Sequence, residues 1–273
     1  HDRPIARPAD DPVFRTIRGI PRPIRLGRGV SPLEIELPFT LDEPVLAVGA
    51  HMKNTVTLAW QDRAVISPHI GDMGNLRSMA VFEQTIDDLQ RLYGVSARHV
   101  VCDAHPSYAT TRWSNESGLS VSHVFHHHAH ASSVYVAMAT GQDAMVFSWD
   151  GVGYGEDGSL WGGELFTGRG GDWRRAATWR PFSLPGGDRA GREPWRSAAA
   201  LCWEEGEAFH TGHADVAFIE HAWQKKINCP STSSVGRLFD AAASLIGMRD
   251  IASYEGQGPM ELEALVSDVM VSN

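Results

Sequence analysis

The sequence predicts an α/β fold arranged as two lobes, and three observations lead to it. Short runs of apolar β-formers alternate with amphipathic helical segments through the first half. A hairpin-like start recurs in the second half, which points to two similar lobes with a cleft between them. The final third carries helical spacing almost throughout.

The elements follow in order. Residues 1–29 hold seven arginines against three aspartates, a local charge of +4. Their prolines (RPIARPADD, GIPRPIR) bias the backbone toward extended conformations. Residues 1–30 therefore read as a basic arm or linker, followed by a first lobe over 31–140 and a second over 141–273. PVLAVGAHMKNTVTLAWQDRAVISPHIGD predicts three strands, because the runs VLAV, TVTLAW and AVIS are separated by GAHMKN and QDR. SMAVFEQTIDDLQRLYG places Val81, Phe82, Ile86, Leu89 and Leu92 on a helical period, with Gly94 as its stop. HVVCDA and SHVF are short strands, and HHAHASSVYVAMAT opens a helix. AMVFSWD is a buried strand that ends at a glycine-rich turn, and WGGELFTG is another strand. EPWRSAAALCWEEG, ADVAFIEHAWQKKI, SVGRLFDAAASLIGM and PMELEALVSDV are helices.

Composition narrows the function. With 273 residues, 42% hydrophobic and 21% charged, the chain has the makings of a sizeable core and is not a disordered segment. Its net charge is −9, so everything after the basic head sums to −9 − 4 = −13. Such a surface does not favour the phosphate backbone of nucleic acid. No apolar run approaches the ~18 residues of a membrane span. The three cysteines, Cys102, Cys202 and Cys229, have no disulfide-framework spacing. They read as core residues of a cytoplasmic protein.

Four stretches carry candidate chemistry. In HVFHHHAHASS, His126 and His130 stand four apart, on one face of a helix with Cβ atoms about 5–6 Å apart. Two imidazoles so placed can share a metal, and the small neighbours Ala129 and Ala131 allow close approach. A polar helix face with surface histidines has the same spacing. His123, His127 and His128 support the ligating histidines, contact substrate or are exposed. In FSWDGVGYGEDGSLWGGE, a strand delivers Asp150 to a loop with Gly151, Gly153, Gly155 and Gly158. A carboxylate there suits a metal, and glycines let backbone N–H groups crowd an anion. An ordinary glycine-rich hairpin reads identically. In GAHMKNT, Lys53 and Asn54 can hold a terminal phosphate or form a solvated hairpin tip. In SSVGRLFDAAASLIG, Gly236 permits close approach of a ligand and Asp240 can accept from ribose hydroxyls, or the segment is a plain helix with a polar first turn.

Taken together, the order KNT, SPHIGD, CDAHPSY, HHHAH, DGVGYGEDGSLWGGE, SSVGRLFDAAASLIG and YEGQGP strongly resembles the carbamoyltransferase domain of the HypF family of hydrogenase maturation proteins. That domain is similar to the TsaD family and to antibiotic O-carbamoyltransferases. The resemblance covers about residue 30 to the end; residues 1–29 look like the tail of a YrdC-like domain plus a linker. It implies a two-lobed ASKHA fold of the actin, Hsp70 and sugar-kinase type. It implies His126, His130 and Asp150 as catalytic residues and ligands of a divalent metal, zinc or iron. It places Lys53, Asn54 and the glycines Gly151, Gly153, Gly162 and Gly163 near nucleotide phosphates, with Gly236 beside them and Asp240 on the ribose. The family makes carbamoyl-adenylate from carbamoyl phosphate and ATP, magnesium being a possible companion. It passes the carbamoyl group to the C-terminal cysteine of HypE for cyanide ligand synthesis. The family's acylphosphatase and zinc-finger regions, and a late glycine-rich segment with a further aspartate ligand, have no counterpart here. The second lobe is thus expected to be partial. The alternatives are a non-catalytic module that binds nucleotide or HypE, and a metal-dependent phosphohydrolase of carbamoyl phosphate or nucleotide.

Overall fold

The computed structural model describes residues 2, 6–138, 141–210 and 212–271. Its elements confirm the α/β class. The chain forms two compact units, residues 1–126 and residues 127–273. This division falls earlier than the boundary expected after residue 140.

In the first unit the extended basic head is paired with itself: β1 (Val13–Ile17) and β2 (Ile20–Arg25) run antiparallel as a two-stranded ribbon. Arg18 and Gly19 turn the ribbon with positive φ, and Pro21 and Pro23 are tolerated because both strands are edges. Every ribbon residue is exposed. The flanking chain is tied down by Arg28 N–H donating to the Asp10 carbonyl (2.9 Å) and by an Arg7–Asp88 ion pair (2.5 Å).

β3 (Leu33–Ala47) and β4 (Thr57–Ile66) form an antiparallel pair, and β5 (His99–Asp103) and β6 (Ser120–Val124) extend the sheet in parallel, in the order β4-β3-β5-β6. TVTLAW and AVIS, expected as two strands, are one. Gln61 takes a positive φ (53°) and the register shifts opposite it, so QDR is a bulge and not a turn. α1 (Leu76–Tyr93) is capped by Asn75, whose side chain accepts from Ser78 N–H, and is ended by Gly94 at φ 65°. It packs Phe82, Ile86 and Leu89 onto Leu46, Leu58 and Val100 of the sheet. α2 (Ala109–Glu116), unpredicted from sequence, follows β5 and buries Thr110, Thr111 and Ser114. Its apolar spacing is too sparse to have signalled a helix.

α3 (His126–Met138) opens the second unit. β7 (Ala144–Tyr154) and β8 (Leu160–Arg169) form its main hairpin, with β9 (Asp172–Thr178) on the other side of β8. β10 (Phe182–Ser183) and β11 (Ser231–Thr232) complete the order β10-β11-β8-β7. α4 (Trp195–Glu204), α5 (Val216–Gln224), α6 (Val235–Leu245) and α7 (Gln257–Val271) supply the helices. Ala131, Val146, Trp161, Phe166 and Trp173 form one core cluster, and Trp195, Ala199 and Trp203 another. β7 is an edge strand whose outer face leaves Met145, Phe147 and Trp149 exposed. The cysteines are all thiols. Cys102 is buried as expected, whereas Cys202 and Cys229 are half-buried.

Candidate metal centre and its surroundings

α3 begins at the residue where the chain divides, and His126 is the first residue of that helix. His126 and His130 lie one turn apart on α3, and Asp150 comes from β7. One ligand atom from each of the three lies within 4.8 Å of the others. The structure thus brings together the three residues singled out from sequence. Asp150 is not at a strand end before a glycine loop, however. It sits inside β7, where the register shifts between Trp149 and Gly153. The bulge takes Asp150 out of the regular ladder. Its Oδ1 accepts from Gly151 N–H (2.6 Å), and its Oδ2 faces His130 Nε2 at 3.8 Å.

His127 is a histidine whose place the sequence spacing left open. It is wholly buried, and its Nε2 is 3.5 Å from Asp150 Oδ2, closer than His130. His130 by contrast is about half exposed. His128 packs edge-on against Phe166 (centroids 5.1 Å), with Nε2 3.5 Å from Glu156. Burial lowers its pKa, the more so for the nearby His127, and Glu156 opposes this. His123 is in β6, paired with Cys102, and exposed.

Three of the candidate glycines, Gly162, Gly163 and Gly236, are crowded by the chain itself. Gly151 and Gly153 belong to β7, and Gly162 and Gly163 to β8. A Cβ on Gly163 would stand 2.4 Å from the Ser233 carbonyl oxygen, and one on Gly162 2.8 Å from that of Asp150. A Cβ on Gly236 would reach to 2.7 Å of Gly151 Cα. These positions need glycine because α6 and the strand before it lie directly on the β7–β8 hairpin. Ser234 locks the contact: its hydroxyl caps α6 by accepting from Arg237 N–H (3.0 Å) and lies 2.5 Å from the Gly151 carbonyl. Beneath, the buried Glu164 accepts from the Ser233 hydroxyl and pairs with Arg175 (2.8 Å), whose guanidinium stacks on Trp161 (4.2 Å).

Asp240, read as a ribose contact, is 2% exposed and ion-paired with Arg237 (Nη2–Oδ2 2.8 Å). Burial pushes its pKa up to about 6, with Arg237 pulling the other way and Glu255 adding to the rise. Arg237, unremarked from sequence, is itself buried beside Gly151 and Gly191. Lys53 is exposed at the hairpin tip with φ 51°, its N–H donating to Asp72 Oδ1 (3.0 Å). Asn54 is buried: its amide donates to the Val48 and Ala50 carbonyls, both 2.8 Å away, and so closes the loop.

Residues 40–137 match the family profile described as HypF Kae1-like domain. Residues 146–272 match that of the carbamoyltransferase, Kae1-like domain, second subdomain. The chain belongs to the HypF family. It is 36% identical to "Carbamoyltransferase HypF" of Synechocystis over 97% of this chain and 38% of the relative. It is 40% identical to "Carbamoyltransferase HypF2" of Cupriavidus necator over 97% of this chain and 34% of that one. A crystal structure of full-length HypF in a phosphate- and nucleotide-bound form superposes with a TM-score of 0.90 at 32% identity, covering 97% of this chain and 36% of that one. The chain therefore spans a little over a third of the length of these HypF relatives. The likeness establishes the expected ASKHA-type α/β fold with mixed sheets.

Proposed function

We propose that this chain carries out the carbamoyl-transfer step of hydrogenase maturation. The carbamoyl group moves from carbamoyl-adenylate to the thiolate of a partner's cysteine, the C-terminal cysteine of HypE. The observation that carries this reading is the convergence of His126, His130 and Asp150 within 4.8 Å. Family membership supports it, as relatives are named carbamoyltransferase.

The donor chemistry fits a divalent metal. Two imidazole nitrogens and a carboxylate oxygen suit zinc or iron and leave coordination positions for substrate. When bound, such a metal supplies Lewis acidity to a carbonyl or phosphoryl oxygen. The chain's own part is placement. The Gly151 N–H fixes Asp150 through Oδ1 and turns Oδ2 toward the histidines. Lys53 is the proposed phosphate contact at an exposed tip, and Asn54 acts by fixing the shape of that loop. In the transfer the thiol has lost its proton to solvent. Its sulfur attacks the carbamoyl carbon, a C–S bond forms, the C–O bond to the phosphate breaks and AMP leaves.

The test is to mix the chain with carbamoyl-adenylate and HypE and measure the intact mass of HypE. One carbamoyl adduct on its C-terminal cysteine is expected. AMP release at an unchanged rate without HypE, leaving HypE unmodified, would favour a phosphohydrolase. Nucleotide binding without turnover would favour a binding module.

A further inference from the structure

Beyond the three proposed ligands, a carboxylate stands behind His126. We propose that Asp103 is the positioning residue for His126. It holds the imidazole in one orientation, with the proton on Nδ1 and the lone pair on Nε2. This rests on the metal reading above, but part of it can be tested without any metal.

Asp103 ends β5, and its side chain is 5% exposed. Oδ1 accepts from the His105 backbone N–H at 2.8 Å, and Oδ2 lies 2.9 Å from His126 Nδ1. Its backbone is pinned as well, because the Thr111 hydroxyl donates to the Asp103 carbonyl at 2.9 Å. α2, which supplies Thr111, therefore braces the backbone that carries the carboxylate. An ionised carboxylate only accepts hydrogen bonds. The short contact to Nδ1 then requires the hydrogen on that nitrogen, and the opposite nitrogen is left with the lone pair that a metal needs. Carboxylates placed behind metal-binding histidines fix tautomer and ring angle, and their loss typically weakens metal binding by about 10- to 100-fold. β5 and β6 pair in register, Asp103 opposite Val124, which brings the aspartate beside the start of α3.

The test uses the 273-residue chain and Co(II) as the probe. In the metal-free protein, the ¹⁵N shifts of the His126 ring should report the Nδ1–H tautomer. Asp103→Asn should convert that to a mixture, or to the Nε2–H form. Co(II) affinity should fall about 10- to 100-fold in Asp103→Asn. In a His126→Ala background the same substitution should change Co(II) affinity less than twofold, because its effect acts through that ring. An effect of equal size in both backgrounds would mean that Asp103 acts only on general stability, and would overturn the proposal. So would an Nε2–H tautomer in the metal-free wild type. A wild type that shows the Nδ1–H tautomer yet takes up no Co(II) would sink the metal reading while leaving the Asp103–His126 relationship standing.

Discussion

His127 Nε2 lies 3.5 Å from Asp150 Oδ2, while His130 Nε2 approaches the same oxygen at 3.8 Å. Asp150 thus faces two imidazoles from positions three apart in α3's first turns, one fully buried and one half exposed. Their different burial separates what each contributes. His127→Ala should cost about 2–4 kcal/mol of stability, as expected for truncating a large buried side chain. His130→Ala should stay within about 0.5 kcal/mol but lose bound metal. Urea unfolding alongside elemental analysis checks both. Equal stability losses in the two variants would contradict the assignment, as would full metal content in a His126→Ala/His130→Ala double variant.

Gly236 is expected to be intolerant of even one methyl group. Its Cβ would stand 2.7 Å from Gly151 Cα and 3.1 Å from the Asp150 carbonyl oxygen. α6 would have to back away from β7, at a cost of about 1–3 kcal/mol for overpacking. Because the strained contact includes Asp150 itself, Gly236→Ala should lower both the melting temperature and metal affinity. Gly118→Ala makes a control, since a Cβ there meets nothing within 4 Å. Its positive φ (74°) should cost some stability but leave metal binding alone. Calorimetric melts and Co(II) titration of the two variants decide.

Arg237 and Asp240 should behave as a buried unit. Removing one partner strands the other's charge, a loss of about 3–5 kcal/mol. Arg237→Met and Asp240→Leu should each be strongly destabilising, and the double variant should recover most of the loss. Additive losses in a denaturant double-mutant cycle would rule out the coupling.

The same pair predicts a pH dependence. Burial raises Asp240 from 3.8 to about 6, so the folded state binds its proton more tightly than the unfolded chain does. This contribution to stability is fully present below pH 3.8, declines as pH rises through that window and is lost above about 6. Subtracting the stability profile of Asp240→Asn from that of wild type should isolate this downward slope. A flat difference would show that Arg237 fully offsets burial, and a difference that rises with pH would show that it keeps the carboxylate ionised.

Asp157 should titrate in the opposite sense. Burial alone would raise it, but hydrogen bonds from Ser159, Trp161 and Arg175 outweigh that and hold it down at about 2. Its contribution to stability is present above the ordinary carboxylate range and is lost as pH falls toward 2. Carboxylate NMR shifts followed down an acid titration would reveal a midpoint near 3.8 if those hydrogen bonds did not persist in solution.

What could be read from the sequence was what is local. The period of Phe82, Ile86 and Leu89 and the stop at Gly94 determined α1, and the four-residue spacing of His126 and His130 determined a shared helix face. Motif order determined the family. What the tertiary structure decided depends on residues far apart in the chain. Asp103 meets His126 across 23 positions because β5 and β6 pair in parallel. Ser234 meets Gly151 across 83 positions, because α6 lies on β7. Gly162, Gly163 and Gly236, which read as room for a phosphate, also leave room for the chain's own backbone, since a missing Cβ looks the same in sequence whatever lies beside it. Spacing could not show that His127 is buried, because the fate of a residue next to a candidate ligand depends on which sheet its helix meets. Periodicity records which face of an element turns inward; only the packed fold decides what that face touches.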